Sequence, residues 1–134
     1  MSFVSLRRAL VAAAALSLVP ASVALAGGTA KVTMDEFSLK SSPKSISAGK
    51  VKFSVKNAGD DEHELVILKT KTSASKLKVR GGRASESGEV AELDDIEGGK
   101  TKSKTVSLKQ GHYVLLCNLP GHYGLGMRAD FTVK

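Results

Sequence analysis

The chain has 134 residues, a formal net charge of +7, one cysteine, and four Phe, two Tyr and no Trp. That length suits one domain rather than two, and a single cysteine excludes an internal disulfide framework. The basic excess raises nucleic-acid binding, but no aromatic residue is interleaved with the lysines as a base-stacking platform. The lysines are read instead as solvated strand faces that can steer an acidic partner.

Residues 1–26 read as a signal peptide. Arg7 and Arg8 precede an apolar stretch, Ala9 to Ala26, broken only by Ser17, Pro20 and Ser22. It ends in Ala24-Leu25-Ala26, a small-x-small pattern suited to signal peptidase. Pro20 and the alanine-rich composition argue against a retained anchor. No cysteine near the cleavage point offers a lipid attachment site. The arginine pair leaves twin-arginine export open beside the general route. The expected mature chain, 27–134, is an exported, periplasmic domain with no stable membrane insertion. Losing two arginines and no acid brings its net charge to +5.

From Gly27 onward the pattern is strand and turn. Lys31 to Phe37 puts Val32 and Met34 on one face. In VKFSVKN, Val51, Phe53 and Val55 alternate inward against Lys50, Lys52 and Ser54. Asn57-Ala58-Gly59-Asp60 reads as a turn. LVIL, Leu65 to Leu68, is continuously apolar, as expected for a strand covered on both faces. Thr70 to Gly99 is rich in Ser, Gly, Lys and Glu. It is expected to hold one or two short strands or a helical turn, with Arg80-Gly81-Gly82-Arg83 and Ser85 to Gly88 as mobile surface. Lys100, Lys102 and Lys104 alternate, which places them on a solvent face. Ser103 to Lys109 alternates, and Gln110-Gly111 turns the chain into HYVLLCN. The last strand, Arg128 to Lys134, turns Phe131 and Val133 one way. Short strands separated by Gly and Pro turns argue for a β-sandwich or barrel.

The chemistry concentrates in CNLPGHYGLGM, residues 117–127. Tyr113, Leu115 and Cys117 share a strand face, so the thiol points toward the core. Pro120-Gly121 begins a tight loop that returns His122 to the same neighbourhood, and Gly124 and Gly126 allow a second reversal at Met127. An unpaired thiol in an oxidising compartment calls for burial or a bound partner. His63, at the mouth of a strand after a turn, supplies a further ligand. Thiolate and thioether are soft donors that favour Cu(I), and imidazole suits both copper oxidation states. Two His and one Cys with a weak axial Met is the blue-copper electron-transfer set. Zinc rarely recruits Met and its structural sites use four strong ligands. A cysteine hydrolase needs an accessible thiolate and an oxyanion hole, and has no role for Met. Asp60, Asp61, Glu62 and Glu64 read as a solvated acidic loop rather than a hard-cation site, with Glu64 a candidate hydrogen-bond partner of the ligands. His112 reads as surface and Met34 as core.

CNLPGHYGLGM, with NAGDDEHELVIL upstream and the terminal RADFTVK, resembles the cupredoxins, the plastocyanin and azurin superfamily, and most of all small periplasmic bacterial members. The resemblance spans nearly the whole mature chain. It implies an all-β, Greek-key β-sandwich with one mononuclear copper site at one end. It also implies His63, Cys117 and His122 as in-plane ligands and Met127 as the axial one. Asn57 matches a loop asparagine that fixes the ligand loops by hydrogen bonds. Asn118 stands where members often have Ser or Thr. In azurins a glycine carbonyl before the first histidine approaches the metal; Glu62 holds that position here, a departure from the family pattern that leaves this contact open.

The expected function is one-electron transfer between redox partner proteins, with copper cycling between Cu(I) and Cu(II). The alternative is a periplasmic protein that binds or delivers copper without shuttling electrons. Multicopper oxidases and copper nitrite reductases need further histidines; this chain has three, and an enzyme is not expected. Leu119, Pro120, Tyr123 and Leu125 are expected to form an apolar patch around the His122 edge, where an acidic partner docks. A single ligand loop at one pole gives no reason to expect more than a monomer.

Overall fold

The structure, a computed structural model, describes residues 27–134; the expected signal peptide lies outside the described residues. The strands are β1 (Gly28–Asp35), β2 (Ser38–Ser42), β3 (Ser45–Ile46), β4 (Gly49–Asn57), β5 (His63–Lys69), β6 (Val79–Arg80), β7 (Arg83–Ala84), β8 (Glu89–Ile96), β9 (Thr101–Leu108), β10 (Gly111–Leu116) and β11 (Arg128–Val133). A 3-10 turn, Ala74–Lys76, follows β5, and one helical turn, α1 (His122–Leu125), precedes β11. Sheet A has the order β2-β1-β4-β9 and sheet B the order β3-β11-β10-β5-β8, with β6-β7 a separate hairpin. β1 lies parallel to β4 and β3 parallel to β11, so the chain crosses between the sheets as in a Greek-key sandwich.

Period-two alternation builds the core. Val51, Phe53 and Val55 of β4 are fully buried while Lys50, Lys52 and Lys56 are exposed. Val32 and Met34 of β1 join them from sheet A. Leu65, Ile67, Tyr113, Leu115, Phe131 and Val133 face them from sheet B. Phe53 and Phe131 meet across the interior with ring centroids 5.7 Å apart. The intervening residues of sheet B, Val66, Leu68, Val114 and Leu116, form a second cluster with Ala74, Leu77, Ala84 and Tyr123. This explains LVIL: one face meets the sandwich core and the other meets the segment after β5.

That segment holds the expected helical turn, Ala74–Lys76, and short strands, β6 and β7, and one longer element besides. It contains the eight-residue strand β8, paired with β5 from His63↔Ile96 to Leu68↔Glu89. Its acid-rich sequence obscures the alternation, because only Ala91, Leu93 and Ile96 are buried. Residues 79–84 are not a free loop either: the hairpin β6-β7 is bonded to the loop that carries His122.

Lys102 and Lys104 are exposed, as expected, but not on the outer face of their sheet. They pair with Val55 and Phe53 and so lie on the core-facing side of β9. As β9 and β8 are the margins of their sheets, these side chains reach across the open side of the sandwich. Lys102 Nζ donates to the Asp94 carbonyl at 2.6 Å and Lys104 Nζ to that of Glu92 at 2.9 Å. Inward lysines on an edge strand block pairing with other chains. Alternation alone defines two faces without saying which is the core.

Candidate metal centre

The ends of β4 and β10 and the starts of β5 and β11 meet at one pole of the sandwich. His63 begins β5, Cys117 follows β10, His122 opens α1 and Met127 precedes β11. Gly126 ends α1 with φ +123°, a conformation L side chains rarely adopt, and a Cβ there would press on the Phe37 carbonyl at 3.1 Å. The reversal this permits returns Met127 to Cys117: the Cys117 N–H donates to the Met127 carbonyl at 3.0 Å, and the Met127 N–H to that of His122 at 3.2 Å. Cys117, His63 and Met127 are fully buried, while His122 is half-buried at the surface.

Three donor atoms converge. His63 Nδ1 and His122 Nδ1 are 3.3 Å apart, and Cys117 Sγ lies 3.9 Å from the first and 3.5 Å from the second. The point equidistant from the corners of that triangle is about 2.1 Å from each, matching metal–imidazole and metal–thiolate bonds of about 2.0–2.3 Å. The donors therefore fit one metal ion. Burial pushes the Cys117 thiol up, against the opposing N–H groups of Glu64 and Leu119. A buried thiol with a raised pKa is a poor nucleophile, which removes the hydrolase reading, whereas a bound cation would hold it as thiolate. Burial, followed by the neighbouring His63, lowers the His122 pKa and favours the neutral, ligating imidazole.

Glu36, for which the sequence carries no signal, organises this pole. Its carboxylate accepts from the Asp61 N–H at 2.9 Å, the Asp60 N–H at 3.1 Å and His63 Nε2 at 3.1 Å. The Asp61 N–H, followed by that of Asp60 and the His63 ring, holds this carboxyl below its ordinary range against the opposing effect of desolvation. A proton on Nε2 leaves the Nδ1 lone pair facing the other donors, so the carboxylate sets the tautomer. Gly59 backs directly onto Glu36, and a Cβ there would overlap the carboxylate. Nothing in the spacing of Glu36 and His63, 27 residues apart, announces this pairing.

Asn57, fully buried, donates Nδ2 to the carbonyls of Asp61 (2.6 Å) and Ile96 (2.8 Å) and accepts from the Gly59 N–H at 3.0 Å. It ties the loop before His63 to the end of β8. Asn118 holds the other side. Its Oδ1 accepts from the Ala84 N–H at 2.8 Å, and its Nδ2 donates to the Ala84 carbonyl at 3.0 Å and to Glu86 at 2.7 Å. The Gly121 N–H adds a 2.9 Å bond to the Gly82 carbonyl. Glu64 partners the cysteine, as expected: its N–H donates to Sγ at 3.5 Å and its carboxylate accepts from the Asn118 N–H at 3.2 Å.

Two expectations about nearby residues change. Tyr123 is buried, its hydroxyl donating to the Ala74 carbonyl at 2.6 Å and accepting from the Leu77 N–H at 3.1 Å, so it is a structural tie and not part of an exposed patch. Phe37 takes that place, edge-on to the His122 ring at 5.1 Å. His112 is half-buried rather than surface, spanning the Thr70 carbonyl (2.6 Å) and Asp130 (2.8 Å), and it is not among the converging donors.

Glu64 does not join the acidic loop at 60–62; it clusters with Glu92 and Asp94. Desolvation, then the Asp94 carboxylate and the charges of Glu64 and Glu89, push Glu92 from 4.5 to about 7. The folded chain thus keeps a proton that the unfolded chain releases near pH 4.5. This contribution to stability is complete below that pH and is lost as pH rises through about 7. Glu92→Gln is therefore expected to melt a few degrees above the parent on the alkaline side of 7, with the gap closing toward pH 4.5. Melting curves across that range would refute the assignment if the gap were independent of pH.

A family model for copper-binding proteins of the plastocyanin/azurin family matches residues 19–134. No curated protein sequence matches significantly. Among solved structures, dithionite-reduced auracyanin from Roseiflexus castenholzii is similar with a TM-score of 0.62 at 20% identity, over 81% of this chain and 98% of that one. Auracyanin A from Chloroflexus aurantiacus, a blue copper protein, gives 0.59 at 22%, over 81% and 100%. Rusticyanin from Thiobacillus ferrooxidans gives 0.64 at 19%, over 82% and 79%. At these identities the structural likeness establishes the fold.

Proposed function

Because the chain belongs to the plastocyanin/azurin family of copper-binding proteins, we propose that it carries single electrons between redox partners as a type 1 blue copper protein. His63, Cys117, His122 and Met127 would hold the copper. The observation that carries this reading is the triangle of His63 Nδ1, His122 Nδ1 and Cys117 Sγ. Bound copper supplies a one-electron couple between Cu(I) and Cu(II).

The chain's own residues keep that couple fast and insulated. Glu36 bonds the His63 ring, the Glu64 N–H meets Cys117 Sγ and Asn57 ties down the loop before His63, so the donor atoms are held in place. The buried flanks exclude water, and the half-buried His122 edge is the exit to solvent. Beside it, Leu125 is 60% exposed and Pro120 is exposed. The Gly82–Gly121 bond sets the β6-β7 hairpin, with exposed Arg80 and Arg83, next to this edge. An apolar spot flanked by arginines suits a small, transient contact with an acidic redox partner, of the kind that buries less than about 1,200 Å². Its association rate falls as salt rises. The protein acts as a monomer and not as an enzyme.

Export to the periplasm is supported by the Arg7-Arg8 pair, the apolar run and the Ala24-Leu25-Ala26 ending; no helix among the described residues is long and apolar enough to cross a membrane. The deciding experiment is voltammetry of the copper-loaded chain together with its visible and EPR spectra. A blue charge-transfer band, narrow copper hyperfine splitting and a reversible couple with fast self-exchange are expected. A protein that holds one oxidation state and releases its copper to an acceptor would instead be a copper-delivery protein.

A further inference from the structure

The outer face of sheet A is read directly from its register. On β1 it carries Thr29, Lys31, Thr33 and Asp35. Their neighbours are Ser38, Lys40 and Ser42 on β2, and Lys50, Lys52, Ser54 and Lys56 on β4. Thr101, Ser103, Thr105 and Ser107 complete it on β9. Five lysines and one carboxylate, at the end near the metal centre, stand among serines and threonines; no apolar, aromatic or arginine side chain is present on this face among the described residues. The other acids lie off this face: Glu86, Glu89, Glu92, Asp94, Asp95 and Glu97 on or beside β8, Glu36, Asp60, Asp61, Glu62 and Glu64 about the metal centre, and Asp130 on β11. At its β2 margin the face continues into a groove of about 710 Å³, lined by Lys31, Lys40 and Lys44 and one carboxylate, Asp130, with Leu39 and Ala129.

A merely solvated face mixes both signs of charge; here they are segregated. Protein-binding surfaces concentrate aromatic residues, Met and Arg and are depleted in Lys and Ser, so an acidic protein is a poor match. A flat field of lysines without anchors matches a flat, anionic, laterally mobile surface, which asks for point charges rather than shape. We infer that the outer face of sheet A is a docking surface for anionic phospholipid bilayers. The strands then lie along the membrane, and the His122 pole points sideways, toward partners embedded in the same bilayer. The inference does not depend on the copper reading, since binding can be measured without it.

The test is co-sedimentation of residues 27–134, which contain every strand of both sheets, with phosphatidylglycerol-containing vesicles and with pure phosphatidylcholine vesicles. Binding to the anionic vesicles alone is expected, weakening steeply with salt. The triple variant Lys31→Gln, Lys52→Gln, Lys56→Gln should lose on the order of 100-fold in partitioning. A control of equal charge, Lys71→Gln, Lys76→Gln, Lys109→Gln, should keep most of it. Far-UV circular dichroism and melting verify that both variants fold. No binding by the parent, or an equal loss in the control, would overturn the proposal, the latter by showing that net charge and not this face is responsible. Equal binding to neutral vesicles would overturn it too.

Discussion

Replacing Cys117 with serine is expected to abolish the intense visible absorption and the reversible couple of the copper-loaded protein while leaving the apo-protein folded. The band requires a thiolate bonded to Cu(II), and Cys117 is the only sulfhydryl in the chain. Serine is nearly isosteric, and its hydroxyl keeps an acceptor for the Glu64 N–H that now meets Sγ at 3.5 Å. A hydroxyl in this fully buried position costs the apo fold about 1–2 kcal/mol, too little to unfold a sandwich with this core. Spectra recorded beside melting curves separate the two effects. An unchanged blue band in the serine variant would remove Cys117 from the ligand set and the electron-transfer reading with it.

Asn57→Ala is expected to be the most damaging substitution outside the ligands. It removes two donated bonds and one accepted bond, leaving the Ile96 carbonyl, the Asp61 carbonyl and the Gly59 N–H without their partner. With Asn57 fully buried, water can reach the Ile96 carbonyl and the Gly59 N–H only by opening the loop. The expected loss is about 3 kcal/mol, or a fall of roughly 15 °C in melting temperature for a domain of this size. Copper affinity should fall by about 10- to 100-fold, because the loop that positions His63 is no longer tied to β8. Asn57→Asp, which keeps the acceptor but neither donor, should recover little. Calorimetry and copper titration test both; a melting temperature within two or three degrees of the parent (about 0.5 kcal/mol) would mean that the loop is held mainly by Glu36.

The two asparagines and Glu36 show where reading the sequence stops. Asn57 stood out through its family position, and its bonds run within the His63 loop and to β8, not to the loop carrying Cys117. Asn118 departs from the family's usual Ser or Thr, yet its partner Ala84 lies 34 residues away, between two stretches that read as mobile surface. Glu36 has no signal of its own: one carboxylate in a β-turn looks like any exposed acid until strand pairing sets it against Asp60, Asp61 and His63.

What the sequence alone determined is the chemistry and the strand pattern. Donor softness belongs to the side chain, so Cys, His and Met name their metal before any fold is known. The two faces of a strand follow from its period of two, which made the buried positions of β1, β4, β10 and β11 legible. Tertiary structure decided everything that depends on which strand lies beside which. It set Lys102 and Lys104 on the core-facing side of β9, made a strand of residues 89–96, buried Tyr123 and gathered Lys31, Lys40, Lys50, Lys52 and Lys56 onto one open face. These outcomes rest on contacts between residues far apart in the chain, and local periodicity carries no information about them.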